Sequence, residues 1–184
     1  MSNITLRLSL PLIISLVALV LAYQHYHAGE INEAAQIVIA GAAFATLVFT
    51  AVSLFNIERG MTYSRRQFAI NMISEWSNPH IGGLVDAAGI IRKEVLEKSA
   101  DEITIILNKD DEKRKKIINI MNYLENIALS VKHKATEEEV IRDYFEPIFK
   151  EYHRAFMPYI EECRRRHNNT QIWSEFQRLA EKWG

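Results

Sequence analysis

Two stretches of this chain hold residue types and spacings that could do chemistry. His25, His27, Glu30 and Glu33 lie together between two apolar segments. Imidazole nitrogens and carboxylate oxygens are ligands for zinc-class metals, yet this spacing matches no strong metal motif. A solvated turn accounts for the four residues, and no metal or other cofactor is expected. In a ring of several copies, His27, Glu30 and Glu33 would repeat around an outer mouth and favour cations. Near the other end of the chain, Arg164-Arg165-Arg166-His167 precedes Asn168-Asn169. Guanidinium groups grip phosphate at two points, so Arg164, Arg165, Arg166 and His167 suit contact with a partner or with RNA. Cations near a helix C-terminus also complement the helix dipole, which is the plainer account.

The elements that carry these residues begin with two apolar segments, at about 8–23 and 34–55. Ala34 to Phe55 has no ionisable side chain. At about 1.5 Å per residue, a helix of that length covers a hydrocarbon core of about 30 Å. The first segment is shorter. Pro11 falls in its expected first turn, where a missing N–H costs little, and Arg7 can snorkel to the headgroups. Val20 and Ala22 resemble the small residues before a signal-peptide cleavage site, but one basic residue ahead of the segment is a poor signal-peptide start. A retained transmembrane hairpin over 1–57 is the expectation. The connector Gln24–Glu33 has no Lys or Arg, whereas Arg59, Arg65 and Arg66 follow the second segment and Arg7 precedes the first. The positive-inside rule then places both termini and the main domain in the cytoplasm.

The second span has a pattern of its own. Gly41 and Ala45 form a small-xxx-small pair that lets another helix approach closely. Ala42, Thr46, Thr50 and Ser53 fall on an adjoining stripe. These six residues fit ordinary hairpin packing, with the hydroxyls bonded to their own i−4 carbonyls, or an oligomer interface with a weakly polar pore lining.

Residues 58–184 read as all α-helix. Phe68, Met72, Ile73 and Trp76 share one face of a stretch that ends before Asn78-Pro79. Gly82-Gly83 is expected to separate that stretch from a helix near 85–98. Residues 100–107 are ambiguous between helix and strand, because of the run Ile103-Thr104-Ile105-Ile106. Glu112–Lys132 carries the clearest stripe: Ile117, Met121, Leu124, Ala128 and Val131. Asn122 and Glu125 sit beside it and suit a satisfied core hydrogen bond, or else burial against a basic partner. Thr136 with Glu139 has the form of a capping box. Pro147 and Pro158 are expected to break or kink the next helix, and Ile172, Phe176, Leu179 and Trp183 stripe a terminal one over 170–183. The run Lys109–Lys116 alternates charge and reads as a solvated helix start. Setting aside Arg7, Glu30 and Glu33 leaves equal numbers of basic and acidic residues, so the domain lacks the charge of a dedicated nucleic-acid binder. The lone Cys163 excludes an internal disulfide and suits a reducing compartment.

The stretches MNYLENIALSVKH (121–133) and YIEECRRRHNNTQIWSEFQRLAEKW (159–183) resemble a bacterial family of unknown function. The resemblance implies one or two N-terminal membrane helices and a small helical cytoplasmic domain at the inner membrane. More loosely, the layout is similar to the membrane accessory proteins of type VI-B CRISPR loci, which implies anti-phage defence beside an RNA-guided ribonuclease. That likeness also implies a HEPN-like bundle. HEPN ribonucleases use an Arg followed by four to six residues and then a His, where the His acts as general base and the Arg holds the scissile phosphate. No histidine here has an arginine at that distance. The nearest residues are His153, Arg154, Arg164 and His167, with the wrong spacing, which puts catalysis in doubt and leaves a degenerate, non-catalytic HEPN-like bundle open.

The sequence-level conclusion is a homo-oligomeric membrane protein of the lipid bilayer whose spans form a pore or leak, without enzymatic activity. A membrane-tethered ribonuclease with a divergent site at those four residues, and a passive tether recruiting a cytoplasmic partner, are the alternatives.

Overall fold

The computed structural model describes residues 2–184, and the side chains of residues 13–78 and 81–184. The first helix starts at Ser2, ahead of the apolar segment, so Pro11 stands in its interior and not in its first turn; the side chain of Arg7, expected to snorkel, lies outside the described range. The described residues form seven helices: α1 Ser2–His27, α2 Ile31–Trp76, α3 Pro79–Val95, α4 Ala100–Lys109, α5 Asp111–Lys132, α6 Glu138–His167 and α7 Ser174–Trp183. No strand occurs among them, and the all-helical expectation holds. Contacts divide the chain into Met1–Met61 and Thr62–Gly184.

In the first unit, α1 and the start of α2 are joined at Gly29, whose φ of +82° is a conformation glycine adopts without penalty. The apolar segment 34–55 is not a separate helix but part of the 46-residue α2. By length and composition α2 is able to cross a membrane, and 6% of its most apolar window is buried within the chain, where a core helix would be mostly buried. Ile39, Leu47, Phe49 and Leu54 all stand exposed along it.

In the second unit, α5 packs on α7 and α3, and α6 on α7, α4 and α3. Their shared core holds Phe145, Phe149, Phe156 and Phe176 at no exposure, with the α5 stripe of Ile117, Met121, Leu124, Ala128 and Val131 buried as its periodicity requires. Residues 62–76 contribute Ala69 and Trp76 to that core. Phe68, placed on the same face from its spacing, stands 44% exposed, because Ala69 takes the inward position.

Three local expectations need correction, and one open reading is resolved. Gly82-Gly83 does not separate helices. It lies inside α3, where a Cβ at either position would meet nothing, and the break falls at Ser77-Asn78 with Pro79 opening the helix. Residues 100–107 are helical, because Ser99 and Glu102 form a reciprocal capping box: the Ser99 N–H donates to Glu102 Oε2 at 2.9 Å and the Glu102 N–H donates to Ser99 Oγ at 3.4 Å. Thr136 and Glu139 do not form one. Helix α6 starts at Glu138 with no side-chain cap, and the Thr136 hydroxyl is turned inward, buried and without a partner. Neither proline breaks α6, which runs through Pro147 and Pro158. A proline in a helix interior costs about 3 kcal/mol, whereas each large apolar side chain fully buried along α6, such as Phe149 or Phe156, gains about 1.5–3 kcal/mol.

Candidate binding cleft and the apolar hairpin

In the hairpin, a Cβ added at Gly41 would fall 2.3 Å from Ala18 Cβ, so position 41 has no room for a side chain. Ala22, Ala34 and Ala45 are buried within the same unit. Gly41 and Ala45 are therefore consumed by packing inside the hairpin. The Thr46 hydroxyl donates to the Ala42 carbonyl at 2.8 Å and Thr50 to the Thr46 carbonyl at 2.9 Å, so both hydroxyls are satisfied by their own helix. Ala42, Thr46 and Thr50 remain exposed on its surface, and Ser53 is half-buried.

The turn between α1 and α2 is closed by polar contacts. His25 Nδ1 lies 2.6 Å from Glu30 Oε2 and 3.4 Å from Glu33 Oε2. Among the described residues these three have donor atoms close enough together, within 4.8 Å, to hold a divalent cation, although the imidazole and carboxylates already satisfy one another. His27 does not join them: its ring sits edge-on to Tyr23 at 4.5 Å.

The Arg164–His167 cluster is distributed over several tasks. Arg164 Nε donates to the Ile172 carbonyl at 2.9 Å and its Nη1 to Gln177 Oε1 at 2.6 Å, which braces the turn between α6 and α7. Arg165 and Arg166 both donate to the buried carboxylate of Glu162, at 2.7 and 2.5 Å. His167 stands exposed at the helix end, where the N–H groups of Asn168 and Asn169 cap the last carbonyls. His153, by contrast, is half-buried with its ring 6.3 Å from that of Phe176. Both sets lie on α6, and fourteen residues of helix separate His153 from His167 by about 21 Å. The structure does not bring His153, Arg154, Arg164 and His167 into one site.

Glu162 makes a testable electrostatic point. Hydrogen bonds from Arg165 and Arg166 hold its carboxyl down at about 2, well below the ordinary value of 4.5. A carboxyl with a depressed folded-state pKa stabilises fully above its unfolded pKa and loses that contribution as pH falls through the folded value. The Glu162 brace is thus intact above about pH 5 and lost between about pH 5 and 2. Acid unfolding of Glu162→Gln, followed by circular dichroism, should depend less on pH across that window than the unsubstituted chain. Equal slopes would remove Glu162 as a source of acid sensitivity.

Around this end of α6 lies a cleft of about 410 Å³. Its lining includes Thr104 and Asn108 from α4, Arg114 and Lys115 from α5, and Arg166 and His167 from α6. Cys163 also faces it, but burial raises the thiol's pKa, which leaves it protonated and a poor nucleophile. Thr104 belongs to a run ambiguous between helix and strand, and Arg114 and Lys115 to one that reads as a solvated helix start. Their meeting with Arg166 depends on how α4 and α5 pack, which no local pattern encodes. A second cleft, of about 490 Å³ between α3 and α6, is spanned by the ion pair of Arg92 with Glu151.

A family model described as a domain of unknown function, DUF4760, matches residues 32–183, from α2 to the end of α7. No curated protein and no solved structure matches the chain.

Proposed function

The chain belongs to the DUF4760 family, and we propose that it is a membrane anchor that holds a helical binding domain at the cytoplasmic face. The observation that carries this is the hairpin's surface: large apolar side chains face outward along α1 and α2, while small residues fill the contact at Gly41 and Ala18. Such a surface suits hydrocarbon, and the Thr46 and Thr50 hydroxyls need no water. The basic residues Arg59, Arg65 and Arg66 after the apolar stretch, against none between Gln24 and Glu33, support an inward-facing domain with a short outer turn. No HEPN-type spacing exists, and the residues of a divergent site lie apart, which speaks for recruitment over RNA cleavage. The likeness in layout to accessory proteins of type VI-B loci would set such an anchor beside an RNA-guided ribonuclease.

A pore is the second reading, favoured by Ala42, Thr46 and Thr50, which the hairpin leaves exposed on one stripe. Two helices enclose no water, so a pore requires a ring of copies. Purified full-length chain in liposomes separates the two. The anchor predicts a detergent-corrected mass of a monomer or dimer by light scattering and retention of an entrapped dye. A closed ring of higher mass that releases the dye would replace the anchor with the pore.

A further inference from the structure

We infer that the cleft between α4, α5 and the end of α6 binds a phosphate monoester. Four observations converge there. Lys115 and His167 bring cationic or proton-donating groups to one opening from two helices, beside Arg114 and Arg166, which pair with Asp111 and Glu162. Lys115 and His167 are exposed and have no ion-pair partner among the described residues, so they are available to an incoming anion without breaking a contact. Glu162, the acid in the lining, already has its charge matched by Arg165 and Arg166. Finally, Thr104 is 5% exposed, lines the cleft, and its hydroxyl has no hydrogen-bond partner.

A buried hydroxyl without a partner costs about 1–3 kcal/mol, and a ligand that accepts from it recovers that cost. The donor set selects the class. Thr104, Asn108, Lys115 and His167 offer more donors than two carboxylate oxygens can use, whereas a phosphate monoester presents three acceptor oxygens and close to two negative charges. The volume exceeds that of a bare phosphate, and Ile118 and Ile172 in the lining give an organic substituent an apolar wall. A lipid headgroup and a soluble phosphate ester share this chemistry.

The inference goes beyond the anchoring role and does not need it, because its test reads binding rather than membrane association. Full-length chain in phosphatidylcholine nanodiscs is titrated calorimetrically with adenosine monophosphate and with phenyl phosphate. Saturable binding of at least one is expected, weakened about tenfold or more in Lys115→Ala with His167→Ala and unchanged in Lys182→Ala, a cation outside the cleft. Thr104→Val is the sharper variant: it removes the partnerless hydroxyl at constant shape, so the domain should melt at the same or a higher temperature while binding weakens severalfold. In nanodiscs that include phosphatidic acid, a severalfold loss of apparent affinity marks the lipid headgroup as competitor, and no change marks a soluble ester. Absence of saturable binding by both probes in both lipid mixtures overturns the proposal, as does binding that Thr104→Val and the double variant leave unchanged.

Discussion

Glu125→Ala should destabilise the helical unit by about 2–3 kcal/mol and release α7 from it. Helix α7 opens at Trp173, which sits in a left-handed conformation with φ of +49° and supplies no side-chain cap. The cap comes instead from α5: Glu125 Oε1 accepts from the Glu175 N–H at 3.2 Å and Oε2 from the Phe176 N–H at 2.6 Å. A carboxylate at that position satisfies two orphan donors and opposes the positive end of the helix dipole. The Trp173 indole N–H donates to Asn122 Oδ1 at 2.9 Å, one turn earlier on the same face of α5. Helix α7 has ten residues, too few to persist alone, so its cap and its docking are lost together. With it would go Phe176, Leu179 and Trp183, all buried against the core. Urea unfolding followed by near-ultraviolet circular dichroism measures this, since Trp173 and Trp183 report the environment of α7. Glu125→Gln, which keeps one good acceptor, should fall between the alanine variant and the unsubstituted chain. An alanine variant as stable as the original would show that α7 is held by its apolar face alone.

That clamp explains how much was legible in the residues. The pattern Asn122-x-x-Glu125 beside a helical stripe marks two polar groups that must be satisfied, and hydrogen bonding to the terminal helix is how they are satisfied. The stripe of α5 was readable because apolar periodicity is local and strong. The Ser99–Glu102 box was equally local, yet the β-branched run from Ile103 to Ile106 obscured it. Pro147, Pro158 and Gly82-Gly83 misled for one reason. Breaker residues describe what the isolated backbone prefers, and burial of Phe145, Phe149 and Ile91 around one core outweighs that preference. Arg165 and Arg166 stand three and four residues after Glu162, so their pairing was open to helix geometry. Cleft residues behave differently. Nothing in the sequence around Thr104 says that its hydroxyl will lose water without gaining a partner, because that follows only from how α4 packs.

The largest effect is expected in the apolar helix, where Leu47→Arg should all but abolish stable membrane insertion. Leu47 stands 67% exposed near the middle of the uncharged stretch Ala34–Phe55, on a surface that the chain does not cover. On insertion scales a central Leu contributes about −0.5 kcal/mol and a central Arg about +2.5 kcal/mol, so the exchange costs about 3 kcal/mol, or about a hundredfold in the insertion equilibrium. From the midpoint the guanidinium cannot snorkel to either interface without tilting the helix or thinning the bilayer. The apolar segment 8–23 is shorter than 34–55 and packs on α2 through Ala18 and Gly41, so it is poorly placed to hold the chain alone. Ile57→Arg provides the matched control. It adds the same charge just beyond the stretch, near Arg59, where a long cationic side chain reaches the headgroups at little cost. The carbonate-resistant membrane fraction should therefore fall sharply for Leu47→Arg and stay near the original for Ile57→Arg. Full retention of Leu47→Arg would mean that α2 does not face lipid at Leu47, and both anchor and pore would need another membrane contact. Loss in both variants would point instead to a peripheral association, in which added charge anywhere on the exposed apolar face disrupts binding.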